Sequence, residues 1–148
     1  MVKIEYPEYL PGIKTVQGKE LIFDGIRKQW IAFTPEEWVR QNFLQYLVRV
    51  KKYPVSLIAV EKEIRLGDLT KRFDIVVYDR NTIPWMIIEC KGMDIELNRQ
   101  VLDQVLRYNI TLMVPYIVIT NGSYCFAFSA DKNRLDELND LPEFTNGN

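Results

Sequence analysis

Three charged residues interrupt stretches of sequence that are otherwise apolar. Asp74 lies within the run 73–78, and Glu89 and Lys91 lie at the end of the run 85–91. Burying an ionised side chain without a partner is costly, so charges in such runs indicate a bound metal or a counter-charge. Glu89 and Lys91 are two positions apart, which places both on the same face of a strand.

Pairing of these two runs would bring the acids together. If the runs form a hairpin with Tyr78 opposite Trp85, Asp74 falls directly opposite Glu89. Hard cations such as Mg²⁺ take one or two carboxylates and complete their coordination with waters and substrate phosphates. Lys91 would help to orient or deprotonate an attacking water and stabilise the pentavalent state. The pattern predicts phosphodiester hydrolysis. The chain has no histidine, so histidine-based acid-base catalysis and histidine-ligated zinc are excluded.

The elements that must position these residues can be read from apolar periodicity. Thr34 as N-cap, Pro35 at the first helical position and Glu37 at the third predict a helix over about 35–52. A second amphipathic helix is predicted over about 95–113. Strands are predicted at 58–66, 73–78 and 85–91, and a hairpin at 116–120 and 124–128 around Asn121 and Gly122. The segments 21–23 and 29–33 are predicted to form a small hairpin or two edge strands. We expect a short last helix carrying Leu135, Leu138 and Leu141. The order predicts an α/β fold whose mixed central sheet is flanked by helices.

Composition limits the classes of protein to consider. The 148 residues are 47% hydrophobic and 26% charged, which predicts one domain with an irregular lead over 1–18 and a loose tail over 142–148. A formal net charge of −1 provides no general attraction for nucleic acid, so any such contact must be local. Two cysteines in apolar stretches, with neither a signal peptide nor a membrane span, predict a cytoplasmic protein.

Taken together, the motifs resemble a known family. Asp74 in Arg72-Phe73-Asp74, Glu89 and Lys91 in Ile88-Glu89-Cys90-Lys91, and Gln104 and Tyr108 on the second helix are similar to the D…ExK…QxxxY series of the PD-(D/E)xK nuclease superfamily. More narrowly, they resemble the nuclease domain at the N-terminus of type I restriction enzyme R (HsdR) subunits. The stretch 34–41 and the turn 120–122 add to this resemblance. Phe73 stands where the superfamily's name has proline.

The resemblance implies a restriction-endonuclease-like core of order α-β-β-β-α-β and Mg²⁺-dependent cleavage of DNA, with Mn²⁺ able to substitute. Asp74 and Glu89 would be metal ligands, Lys91 the catalytic lysine, and Glu37 an additional acid from the first helix. Gln104 and Tyr108 would border the active site. The ATP-driven translocase of such subunits has no counterpart in this sequence, so we expect the domain to act alone, as a homodimer, or with a separate translocase or specificity chain.

Alternative interpretations accompany these assignments. Glu37 sits where helix capping alone would require it, and Glu89 with Lys91 could be an exposed ion pair worth little. Gln104 could be a solvated residue at the edge of the helix, and Tyr108 a core residue with its hydroxyl at the surface. Candidate phosphate contacts are Arg40, Arg72 and Arg107, although charged surfaces are more often simply solvated. The alternative function is a non-catalytic module that keeps the nuclease fold and binds nucleic acid or protein.

Overall fold

The chain folds as two helices and ten strands within the described residues, 1–66, 68–109, 112–132 and 134–145 of a computed structural model. The helices are α1 (Pro35–Gln45), which continues as a π-helical segment (Tyr46–Val50), and α2 (Arg99–Asn109). A 3₁₀ turn covers Val55–Leu57. The strands are β1 (Val2–Lys3), β2 (Ile13–Val16), β3 (Lys19–Asp24), β4 (Gln29–Ala32), β5 (Ile58–Leu66), β6 (Leu69–Tyr78), β7 (Pro84–Cys90), β8 (Tyr116–Thr120), β9 (Tyr124–Asp131) and β10 (Arg134–Leu138).

The main sheet has the order β1-β9-β8-β7-β6-β5, and β10 also pairs with β9. The pairs are antiparallel except for β7 with β8, which are parallel because α2 makes the crossover between them. A separate three-stranded sheet holds β2, β3 and β4. The succession α1-β5-β6-β7-α2-β8 is the predicted core, and the mixed α/β fold class is confirmed.

The two helices cover opposite faces of the main sheet. One face packs against buried residues of α1 and the segment that follows it: Val39, Phe43, Leu44 and Leu47. Helix α2 covers the other face, where Val105 packs against Ile119 of β8. Burial on both faces explains why the central strands are nearly continuous apolar runs. In the described part of the chain, neither helix has the length and apolar character that crossing a bilayer would require.

The pairing of β6 with β7 brings the two acidic residues together. Ile75 pairs with Ile88, and this register places Asp74 opposite Glu89, as the sequence predicts. The predicted pairing of Tyr78 with Trp85 is wrong, because a bulge between Val77 and Tyr78 sets Tyr78 opposite Pro84. The bulge lies at the far end of the hairpin and therefore does not shift the acids.

Several boundaries differ from the sequence-based prediction. The predicted last helix is instead β10, in which Leu135 pairs with Ala130 and Leu138 with Ala127. Leucines three apart lie on opposite faces of a strand, and here they pack against the cores on the two sides of the sheet. The lead over 1–18 is not irregular throughout, because it contains β1 and β2. Helix α2 begins later than predicted, where Asn98 Oδ1 accepts from the N–H of Val101.

Candidate active site

Asp74 and Glu89 converge in the middle of the main sheet. The backbone N–H of Cys90 donates to Asp74 Oδ2 at 2.7 Å, which fixes the aspartate beside β7. Strand β5 lies on the other side of β6 and keeps one register past Asp74, since Val60 pairs with Ile75 and Lys62 with Phe73. Asp74 therefore lies between two neighbouring strands, β5 and β7.

The protonation of Glu89 reflects this crowding. Burial raises its pKa from 4.5 to about 7, and the charge of Asp74 and a hydrogen bond between the two carboxyl groups act in the same direction. The positive charges of Lys71 and Lys91 oppose the rise. Glu89 is therefore held near the point at which it exchanges a proton at neutral pH.

The donor set fits a hard divalent cation. Glu89 Oε1 is buried and has no hydrogen-bond partner among the described residues, and Asp74 presents a second carboxylate beside it. The described residues hold no group of three or more acidic, cysteine or histidine ligands. Two carboxylates are nevertheless enough for Mg²⁺, which usually keeps several waters and binds substrate phosphates.

Lys91 follows directly after β7. Its backbone N–H donates to the carbonyl of Thr120 at 2.8 Å, which extends the pairing of β7 with β8 by one residue. Its side chain is half-buried, and its charge acts on Glu89. The alternative of an exposed Glu89–Lys91 ion pair does not describe this site, because the Glu89 side chain is only 16% exposed and its ion pair is with Lys71.

Two residues of the site escape the sequence analysis, namely Lys71 of β6 and Asn109 at the end of α2. Lys71 Nζ lies 3.8 Å from Glu89 Oε1 and donates to Asn109 Oδ1 at 3.0 Å. Asn109 is 1% exposed, and its position inside the apolar arc of the predicted second helix is the signal that could have identified it. Lys71 gives no such signal, because it lies in the polar stretch Thr70-Lys71-Arg72.

Glu37 and Arg40 form a buried pair on α1. Arg40 Nη2 donates to Glu37 Oε1 at 2.7 Å, and Gln41 Nε2 donates to Glu37 Oε2 at 3.1 Å. Burial raises the pKa of Glu37 despite the attraction of Arg40. Thr34 Oγ1 caps the helix by accepting from the Glu37 N–H, while the Glu37 side chain turns towards Arg40 and Gln41. Both Glu37 oxygens are thus engaged by the protein, and Glu37 does not join Asp74 and Glu89 as a third ligand here.

The pair belongs to a larger ion network between α1, β5 and the β3–β4 turn. Glu61 Oε1 accepts from Arg40 Nη2 at 3.2 Å, and Glu61 Oε2 accepts from Arg27 and Arg72, each at 3.1 Å. Asp24, which is fully buried, accepts from Arg27 Nε at 2.6 Å. Although burial alone would raise them, these donors and charges hold the pKa values of Asp24 and Glu61 below their usual range.

The predicted phosphate contacts fall in different environments. Arg40 is buried in the ion network, and its contact with phosphate stays a prediction. Its Nε and Nη1 have no hydrogen-bond partner within the described ranges, and the charge of Asp74 acts on it. Arg72 is 66% exposed and bound to Glu61. Arg107 is exposed on α2.

Of the helix motif, the structure describes the side chain of Gln104. Gln104 is exposed and lines a groove of about 690 Å³ on the outer side of α2, together with Arg99, Gln100, Asp103 and Arg107. On a helical wheel Gln104 lies about 140° from Asn109, the residue of α2 that meets Lys71. Tyr108 belongs to α2, but its side chain lies outside the part of the chain that the structure describes.

Comparison with known proteins agrees with this fold. A family model described as type I restriction enzyme R protein N terminus matches residues 35–142, a span that includes Asp74, Glu89 and Lys91. Among solved structures, a candidate nuclease belonging to DUF820 from Anabaena variabilis ATCC 29413 has a TM-score of 0.50 and 13% sequence identity. The match covers 93% of this chain and 86% of that chain, and at this identity it establishes the fold. A search of curated proteins found no match.

The family match spans more than half of the chain, from the first residue of α1 to beyond β10, and the fold agrees independently. The chain therefore belongs to the family of type I restriction enzyme R protein N termini and is a nuclease-like domain with a restriction-endonuclease-like fold.

Proposed function

We propose that this domain is a Mg²⁺-dependent DNA endonuclease whose cation is held by Asp74 and Glu89. The observation that carries the proposal is the buried Glu89 Oε1, which has no hydrogen-bond partner among the described residues and lies beside a second carboxyl group. The Lys71 ammonium lies 3.8 Å from this oxygen, beyond hydrogen-bond distance, and a divalent cation would bind the oxygen directly. Mn²⁺ would substitute because it accepts the same oxygen ligands.

The roles of the residues follow from their positions. Asp74 is fixed by the Cys90 N–H, and Glu89 faces it across the strand pair. Mg²⁺ bound there would supply Lewis acidity towards the scissile phosphodiester. Lys91 orients the attacking water. As the water oxygen attacks phosphorus and the opposite P–O bond breaks, Lys91 also stabilises the negative charge that develops on the phosphate.

The family is the support for DNA as substrate. Type I restriction enzyme R proteins are parts of restriction enzymes, which act on DNA, and this chain matches the family model of their N terminus. With a formal net charge of −1, the domain has little general attraction for nucleic acid. We therefore propose that further DNA contacts come from a second copy of the chain or from a separate translocase or specificity chain. The two free, buried cysteines, Cys90 and Cys125, fit a cytoplasmic location.

Cleavage of supercoiled plasmid and single-stranded DNA in Mg²⁺ or Mn²⁺ tests the proposal. Glu89→Gln and Lys91→Met should each lower the rate on the order of 100-fold or more, because each removes a group that acts on the transition state. Matched controls are Glu63→Gln and Lys62→Met, which change exposed residues of β5 and should leave the rate unchanged.

Three results would separate the possibilities. Full cleavage by Glu89→Gln would overturn the assignment of the site. A folded wild-type protein that neither cleaves DNA nor binds Mn²⁺ would favour the non-catalytic binding module. Mn²⁺ binding without cleavage would indicate that a partner chain is required.

A further inference from the structure

Lys71 is a second lysine at the carboxylate pair. Its Nζ lies 3.8 Å from Glu89 Oε1, the same oxygen that lacks a hydrogen-bond partner among the described residues. The ammonium also lies 5.1 Å from the centre of the Phe73 ring. The side chain reaches the pair from β6, three residues before Asp74, whereas Lys91 approaches from the end of β7.

Asn109 holds this lysine from the other side. Asn109 Oδ1 accepts from Lys71 Nζ at 3.0 Å, and the orientation of the amide is determined because an ammonium can only donate. Asn109 Nδ2 is buried without a hydrogen-bond partner in the described ranges. The amide therefore accepts from the lysine through Oδ1 while its own N–H donors make no hydrogen bond there. Helix α2 is thereby linked through Lys71 to the carboxylates.

A lysine in this position competes with a divalent cation. Both supply positive charge to Glu89, and they repel each other when both are close to its carboxylate. The Lys71 side chain is 28% exposed and has a flexible four-carbon stem, so its ammonium can leave Glu89 without breaking the strand. An incoming phosphodiester supplies the negative charge that would receive it.

We propose that Lys71 is a positioning residue that neutralises Glu89 in the metal-free protein and moves onto the phosphate of the bound strand when a divalent cation replaces it. This inference rests on the proposed nuclease site and adds a residue outside the D…ExK series. It requires the Lys71 charge to oppose metal binding and to favour DNA binding. A residue that only stabilises the fold would not act on the two in opposite directions.

The test measures both affinities in Lys71→Met, which keeps the apolar stem and removes the charge. Mn²⁺ affinity is measured by calorimetry without DNA, and affinity for a duplex oligonucleotide by fluorescence anisotropy in Ca²⁺. We expect Mn²⁺ to bind about fivefold more tightly and DNA about fivefold more weakly, the effect of one partly exposed charge. Lys62→Met, on the neighbouring strand, should change neither affinity by more than about twofold.

Other outcomes overturn the inference. Weaker or unchanged Mn²⁺ binding by Lys71→Met would show that the lysine does not compete with the cation, and unchanged DNA binding would show that it does not reach the phosphate. Lys71→Gln supplies the same comparison if the methionine variant does not fold. Wild-type protein that binds no Mn²⁺ would instead overturn the proposed function, and this inference with it, before any variant is compared.

Discussion

The features that make the charged form of Glu89 unfavourable are the ones that the proposed cation would relieve. Burial and the neighbouring Asp74 raise its pKa to about 7, and its Oε1 has no hydrogen-bond partner in the described part of the chain. A positive charge placed between the two carboxyl groups would relieve both conditions. Functional sites commonly concentrate such locally unfavourable arrangements.

The raised pKa of Glu89 predicts that metal binding depends on pH. The cation needs the carboxylate form, and the neutral form dominates as pH falls below the pKa of about 7. We expect Mn²⁺ affinity to fall nearly tenfold per unit of pH below about pH 7 and to level off above it. Calorimetric titrations from about pH 6 to about pH 8 measure this dependence. An affinity that stays constant over that interval would show that Glu89 is not a ligand.

Sequence alone predicts some residues of the candidate site and misses others for physical reasons. Asp74, Glu89 and Lys91 can be found because a charge inside or at the end of an apolar strand is costly and conspicuous. Lys71 has polar neighbours in sequence, so its inward contact with Glu89 arises only from tertiary structure. Asn109 could have been found as a polar residue within an apolar helical arc.

Among the secondary-structure elements, α1 depends on ion pairs as well as on its apolar face. Glu37 and Arg40 have side chains that are each 8% exposed. Arg40 pairs with Glu61 of β5, and Glu37 pairs with Arg27, which also binds Glu61. Glu61 itself has a positive φ of 49°, an unusual conformation for a residue in a strand. Arg72 Nε donates to the Glu61 carbonyl at 3.3 Å, while three arginines bind the Glu61 carboxylate beside the strand that carries Asp74.

Breaking the buried pair should therefore destabilise the protein. Arg40→Met leaves Glu37 buried without its main counter-charge, and we expect the free energy of unfolding to fall by about 3 kcal/mol. Urea denaturation monitored by tryptophan fluorescence measures the change. Arg72→Met is the matched control, because Arg72 is 66% exposed and its pair with Glu61 is worth at most about 1 kcal/mol. Equal effects of the two substitutions would refute the importance of the buried pair.

Apolar periods and continuous apolar runs predict most of the elements in the main sheet and fail for β10. Helix α1 and strands β5 to β9 agree in kind with the prediction because each has a clear apolar period or run. The strand β10 is predicted as a helix because Leu135 and Leu138 are three residues apart, a spacing that is typical of a helix. In the structure the two leucines pack on opposite faces of the sheet. The bulge at Tyr78 has no distinct sequence signal.

For the whole molecule, the segment after β10 closes one end of the core. The Phe144 ring lies 5.2 Å from that of Trp85 and 6.1 Å from that of Tyr53, centre to centre. The Tyr53 hydroxyl donates to the carbonyl of Pro142 at 2.6 Å. The prediction of a loose tail is therefore wrong over 142–145, the part of it that the structure describes.

This packing gives a prediction about the stability of the whole domain. Phe144→Ala removes an aromatic ring that is partly buried against two others, and we expect a loss of about 2 kcal/mol in the free energy of unfolding. Thermal and urea denaturation measure it, with Thr145→Ala at an exposed neighbouring position as the control. If both variants unfold like the wild type, this segment contributes nothing to the core.

Anomalous scattering from crystals soaked in Mn²⁺ shows whether Asp74 and Glu89 together bind the cation proposed for hydrolysis. We expect an anomalous peak about 2 Å from an oxygen of each carboxylate, with the Lys71 ammonium displaced from Glu89 Oε1. A protein crystal with both carboxylates ordered and no peak between them, or with Mn²⁺ bound only elsewhere, would contradict it.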